Sequence, residues 1–308
     1  MQERTNGMSL DGYCTCVKYD VKKKMGEDYE VYIQNVTKNN DIELKGLVIA
    51  SEESNVSPTI YLNPYYSKYV NGEDYEKLLE KIISVYEEHK VTGVLDVSFF
   101  KEWKKARERI VFKLVNFERN RELLKNIPYV KYLDMAVVFN YWFKTPCGEF
   151  ATILIHNQHL DYWGVSQDEL YDIAMANTPE LLPYKFEDMM QIMMIMAREG
   201  NVPFSWYNKR QPMYILTNQY KINGAGCILY PELLKTFADM MGSDLCIIPS
   251  SIHETLLVPL MPNGKCYEMD WDEVAETVKE VNDTQLLPEE VLSGHAYKYI
   301  RETEEIVI

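Results

Sequence analysis

The sequence predicts an α+β fold built from repeated hairpin-then-helix units, with antiparallel sheets covered by helices. Three observations lead there. Paired runs rich in Val, Ile and Tyr flank short turn sequences, as 29–37 and 42–50 flank Lys38-Asn39-Asn40-Asp41. Between the hairpins, apolar residues recur at helical spacing. The alternation returns four times along 308 residues, with no Gly/Ser linker to divide the chain.

The elements follow in order. Ser9 can cap a helix whose stripe is Leu10, Tyr13, Cys14, Val17, Val21 and Met25, with Gly26 as its stop. Cys14 and Cys16 resemble a metal pair, but two helical residues so spaced point about 200° apart. Residues 58–62 make a third, short strand beside the first hairpin, broken by Asn63-Pro64. Leu78, Leu79, Ile82, Ile83 and Tyr86 then mark a helix over 73–89. Phe99, Trp103, Ala106 and Ile110 form a further helical stripe, and another helix runs through Phe117 and Leu123-Leu124 to Pro128. A second hairpin pairs 129–143 with 150–159 around Pro146-Cys147-Gly148.

Ser166 and Glu169 form a capping box, and Thr178-Pro179 ends that helix. Six of the fifteen Met lie between Met175 and Met196, so a Met-rich helix near 189–196 fills a core or offers an adaptable surface. Residues 213–217 and 225–230 read as a third hairpin, and Pro231 as the first turn of a helix ending at Met241-Gly242. Residues 245–248 and 255–258 are the fourth hairpin, followed by a helix over 270–281 and an acidic tail. The expected organisation is an N-terminal α+β lobe (1–97), a helical connector (98–128) and a C-terminal α+β lobe with the tail (129–308).

The net charge of −15 works against nucleic acid and anionic lipid at long range. The charge is uneven: +5 over 101–125 and −9 over 268–308, either two solvated surfaces or surfaces that meet a partner. No apolar run opens the chain and none approaches a membrane span. Six scattered cysteines without framework spacing suit a reduced, cytoplasmic protein.

Several of these stretches resemble an uncharacterised family of bacterial proteins, a domain of unknown function common in anaerobic gram-positive genomes. They are Val36-Thr37-Lys38-Asn39-Asn40, the stretch SPTIYLN from Ser57 to Asn63, AMANT from Ala174 to Thr178, NGAGCILYP from Asn223 to Pro231, and PSSIHE from Pro249 to Glu254. The second half is also similar in layout to another uncharacterised bacterial family, with a capped helix ending in Ala-x-x-Asn and a later strand ending in Pro-Ser. The resemblance implies a grouping at the level of fold and supplies no catalytic residues.

The chemistry is sparse. No glycine-rich phosphate loop of either common pattern occurs, and Asn223-Gly224-Ala225-Gly226 precedes an expected strand, so it reads as a turn. His156, His159 and Asp161 invite a metal, but on a regular strand the two histidines point to opposite faces. In IIPSSIHETLLVP, Ser251 and His253 share a face of extended chain, so Ser251 is the candidate nucleophile and His253 its base. The leading expectation is a binding or regulatory module with no cofactor and no metal. Ser250, Glu254, Tyr61, Asn63 and Asn223 are its candidate contacts to an unknown protein or small molecule. The alternatives are a serine-type hydrolase using Ser251 and His253, and an acidic interaction protein of a mobile element.

Overall fold

The computed structural model describes residues 7–90, 98–145, 148, 150–198, 212–261 and 270–308. The chain divides into two compact units, one of residues 1–38 and 42–98, the other of residues 39–41 and 99–308. The α+β class holds, with antiparallel pairing in all three sheets.

In the first unit, α1 (Leu10–Met25) starts where Ser9 Oγ accepts from the Gly12 N–H and ends at Gly26, whose φ of 94° favours glycine. Tyr13, Cys14, Val17 and Val21 are buried, as their spacing predicts. The strands β1 (Tyr29–Thr37), β2 (Glu43–Ser51) and β3 (Thr59–Tyr61) form one sheet in that order. Asn63-Pro64, expected only to break β3, instead opens a helix, α2 (Asn63–Val70), because proline in a first turn forfeits no hydrogen bond. Asp74 caps α3 (Tyr75–His89), and Leu78, Leu79, Ile82 and Tyr86 turn inward.

The second unit corrects the expected helical connector. After two single turns, α4 (Ser98–Lys101) and α5 (Trp103–Ala106), the chain enters a strand, β4 (Ile110–Asn116). All but Lys113 of its seven residues are buried, so both faces are apolar and no alternation marks the strand. The expected following helix is one turn, α6 (Arg121–Leu124). Trp103 is half-buried, and its indole N–H donates to Glu169 Oε1 at 3.2 Å. Phe99 offers no test of the predicted stripe, since its side chain lies outside the described residues.

The stretch 129–143 is two strands, β5 (Tyr129–Tyr132) and β6 (Met135–Lys144), joined by a turn in which Leu133 has φ 55°. β6 is the spine of the second sheet. It pairs with β4 along one edge, and with β5 and β7 (Phe150–Leu154) along the other. Pro146 and Cys147 of the expected turn lie outside the described residues. Next come α7 (Asn157–Trp163) and α8 (Gln167–Leu181). α8 continues past Pro179, because a proline so near the C-terminus disturbs only the last turn. Thr178 Oγ donates to Ala174 O at 2.6 Å and accepts from the Phe112 N–H at 3.0 Å, tying helix to strand there.

The third sheet has the order β13-β12-β10-β11-β9-β8. Its strands are β8 (Tyr184–Asp188), β9 (Tyr214–Asn218), β10 (Leu245–Pro249), β11 (Thr255–Pro259), β12 (Tyr297–Ile300) and β13 (Glu305–Val307). Three helices belong with it: α9 (Met189–Arg198), α10 (Leu233–Met241) and α11 (Trp271–Thr284), the last capped by Asp270. Two expectations fail here. The third hairpin does not form, because 224–229 is a 3₁₀ turn and β9 pairs with β8 and β11 instead. The acidic tail is not merely solvated: β12 pairs with β10, and Tyr297 and Tyr299 are buried in the main core.

That core lies among Leu216, Leu245, Ile247 and Leu257 of this sheet, Phe112, Val137 and Phe139 of the second, and residues of α8 and α10. The Asn39–Asp41 turn is held by side-chain amides: the Asn40 N–H donates to Asn120 Oδ1 at 2.8 Å, and Asn40 Nδ2 donates to Pro288 O and Val291 O.

The 3₁₀ turn explains its glycines. A Cβ on Gly224 would sit 2.2 Å from Thr217 Oγ1, 2.5 Å from His253 O and 2.7 Å from Asn218 N. Two of these are backbone atoms that cannot step aside. Gly224→Ala is therefore expected to destabilise the protein by about 1–3 kcal/mol, the usual cost of overpacking. A urea titration reads this as a lower midpoint; an unchanged midpoint contradicts the close approach.

Candidate functional site

The loop between β10 and β11 is stitched internally. Ser251 Oγ accepts from the His253 N–H at 3.0 Å, and the Ser251 N–H donates to Glu254 O at 3.2 Å. This is a short side-chain turn of the kind Ser favours. The Ile252 N–H donates to Glu290 O at 2.9 Å, and Ile252 O accepts from the Ala225 N–H at 3.2 Å. His253 O accepts from Thr217 Oγ1 at 2.7 Å, while His253 Nδ1 accepts from the Asn223 N–H at 3.1 Å.

These bonds bear on the candidate dyad. Ser251 is 6% exposed, and its hydroxyl oxygen serves the loop backbone. The accepting nitrogen of His253 is occupied by Asn223, which leaves Nε2 carrying the proton, 3.8 Å from Glu290 Oε1. Among the described residues no hydrogen bond joins Ser251 Oγ to the imidazole. Burial holds His253 below the ordinary histidine value; Glu290 and Glu254 oppose this, and Lys113 reinforces it.

The other candidates are placed as follows. Asn223, with φ 54°, meets His253 through its N–H. Glu254 is half-buried beside them. Tyr61 and Asn63 lie in the first unit, Tyr61 with its ring 4.2 Å beneath Lys38 Nζ, and Asn63 with Oδ1 accepting from the Lys45 N–H at 2.8 Å. The histidine pair corrects the sequence reading. His156 caps α7 and His159 sits in its first turn, so the rings meet edge to face at 5.6 Å rather than diverging. The strand stops at Leu154, two residues short of His156. Among the described residues no group of three or more His, Cys, Asp or Glu could hold a metal ion.

Ser250 faces elsewhere. It lines a cleft of about 590 Å³ between the sheet and two helices, α9 and α11. The register explains the cleft's floor. Ile248 pairs with Leu256 and Cys246 with Val258, so these four share the face opposite the main core. α11 covers that face with Val274, Val278 and Val281, and Met189, Met190 and Met213 close one side. The polar lining is Ser250, Glu273, Thr277 and Asn282. Burial pushes the Cys246 thiol up to about 12, so it is an inert part of the sheet. Sequence reasoning singled out Ser250 and the Met-rich run near 189–196 and predicted the helix over 270–281, but missed that this helix walls a cleft, although the 274, 278, 281 spacing was a signal.

The lowered histidine sets a pH dependence. The unfolded chain protonates His253 before the folded one does, so its contribution to stability is complete above about pH 6.5 and shrinks as pH falls through the folded value. His159, lowered by burial and by His156, acts in the same direction. Melting temperature is expected to drop between pH 7.5 and 5.5, and less steeply in His253→Gln. Parallel curves for the two proteins contradict the assignment.

No curated protein and no solved structure matches the chain. Among the described residues no helix is long and apolar enough to cross a membrane. Residues 10–301 match the model of a family of unknown function (DUF5688), and the chain belongs to that family.

Proposed function

We propose that the protein is a cytoplasmic binding or regulatory module whose ligand enters the cleft under α11. One observation supports this above the others. The cleft's volume of about 590 Å³ is in the range of ligand sites, and its described lining is apolar apart from Ser250, Glu273, Thr277 and Asn282. Methionines along one side give a surface that reshapes around different apolar groups. The cytoplasmic placement rests on the four described cysteines, all free thiols.

The serine-hydrolase reading has weaker support, since Ser251 and His253 spend their hydrogen bonds on the loop rather than on each other. The reading as an acidic interaction protein of a mobile element has weaker support, because part of the segment it rests on is structural: β12 pairs with β10 and β13 with β12.

The test is dye binding. Nile red, a neutral apolar fluorophore, is expected to brighten with the wild-type protein at micromolar concentration. Val274→Trp, which puts an indole into the cleft from a half-buried position, is expected to weaken that binding at least tenfold while far-UV circular dichroism stays unchanged. Absence of dye binding, or binding that Val274→Trp leaves intact, rejects the cleft as the site.

A further inference from the structure

The geometry points to an elongated apolar ligand carrying one ammonium group at its end, paired with Glu273. This rests on the cleft being the binding site and adds the chemistry of its occupant.

Shape comes first. The α11 lining runs from Glu273 to Asn282, roughly 13 Å of helix at about 1.5 Å per residue. The sheet lining runs along β10 and β11, from Val258 to Ser250. The polypeptide leaving α11 reaches the β10–β11 loop, where Glu290 O accepts from the Ile252 N–H. The Asn282 end of the helix therefore lies toward Ser250, and the Glu273 end toward Val258. Between the two ends the described lining is Val, Ile, Leu, Met and Pro, apart from Thr277. Such a trough suits a linear hydrocarbon or a narrow aromatic body better than a compact polar metabolite.

Charge comes second. No Lys, Arg or His is in the described lining, and Glu273 is its one ionisable side chain. Among the described residues the exposed Glu273 carboxylate has no ion-pair partner; its backbone N–H donates to Asp270 Oδ1 and its carbonyl accepts from Thr277 Oγ1. Asp188 Oδ1 accepts from the Met190 N–H, so the N-terminus of α9 beside the cleft is already capped by a carboxylate. An anionic ligand would meet this helix end with its positive pole answered, and a net charge of −15 around it. A cation meets an unpaired carboxylate at one end of an apolar trough. At the other end Ser250 lies beside it, able to bond a neutral polar group.

Competition against Nile red on the full chain, at 0.15 M salt and below micelle concentrations, separates the possibilities. The probes are decylammonium, decanol and decanoate, which share one chain and differ in the head. Decylammonium is expected to displace the dye at about two- to fivefold lower concentration than decanol, the range of an exposed ion pair. Decanoate is expected to be weaker than both. Glu273→Gln should bring decylammonium level with decanol and leave decanol unchanged. Glu276→Gln, an exposed acid of α11 that does not line the cleft, should change neither. Decanoate or decanol equal to or better than decylammonium overturns the ammonium assignment while leaving the cleft as a site. An equal loss in Glu276→Gln shows general attraction to an acidic surface and overturns it too. Failure of all three probes against a dye that Val274→Trp does expel overturns the linear ligand class. Dye that ignores Val274→Trp instead rejects the underlying site.

Discussion

Gly224 has no side chain where the His253 carbonyl passes 2.5 Å from the position a Cβ would take, and the second unit's site depends on that approach. It lets three segments share one set of hydrogen bonds: the end of β9 with the 3₁₀ turn after it, the β10–β11 loop, and the residues around Glu290. Buried backbone donors and acceptors must be paired, and here the loop pairs them across chain rather than through water. The orientation of each loop residue follows. Ser251 and Ile252 turn inward, His253 accepts from Asn223, and Ser250 is left facing the cleft.

The cleft has its own physical origin. β10 and β11 lie inside a six-stranded sheet and are apolar on both faces. One face packs against the large core, where Phe, Tyr and Leu side chains fill the space. The other is covered by α11, which offers valines to a floor of Ile, Leu and Val. Short branched side chains on both sides meet only in part: Val278 is buried, while Val274, Val281 and Leu256 remain half-buried. Unfilled apolar surface of this kind forfeits dispersion contacts, which a ligand of the right shape restores.

The sequence legibly encoded whatever is local. Ser9 and Gly26 bound α1, and Asp74 and Asp270 cap α3 and α11, because a cap needs only a side chain and its own next turn. The β1–β2 and β10–β11 hairpins were also plain, since each strand meets its sequence neighbour. β4 was not, because burial on both faces erases the alternation that marks a strand. Residues 225–230 were misread as a strand because their β-like side chains are buried without a ladder, a fact set by Thr217 and His253 from elsewhere in the chain.

By itself, then, the sequence determined the α+β class, most helices and their caps, and the nearest-neighbour hairpins. Tertiary structure decided that the acidic segment supplies β12 beside β10, that β9 finds β8 and β11, and that α11 roofs the outer face of the sheet. It also decided the fates of Ser251 and His253, which extended-chain geometry placed on one face and the folded loop engages with different backbone partners. The physical reason is range. Caps, turns and amphipathic stripes are energies of residues a few positions apart, whereas strand order and cavity walls depend on which distant surfaces bury each other best.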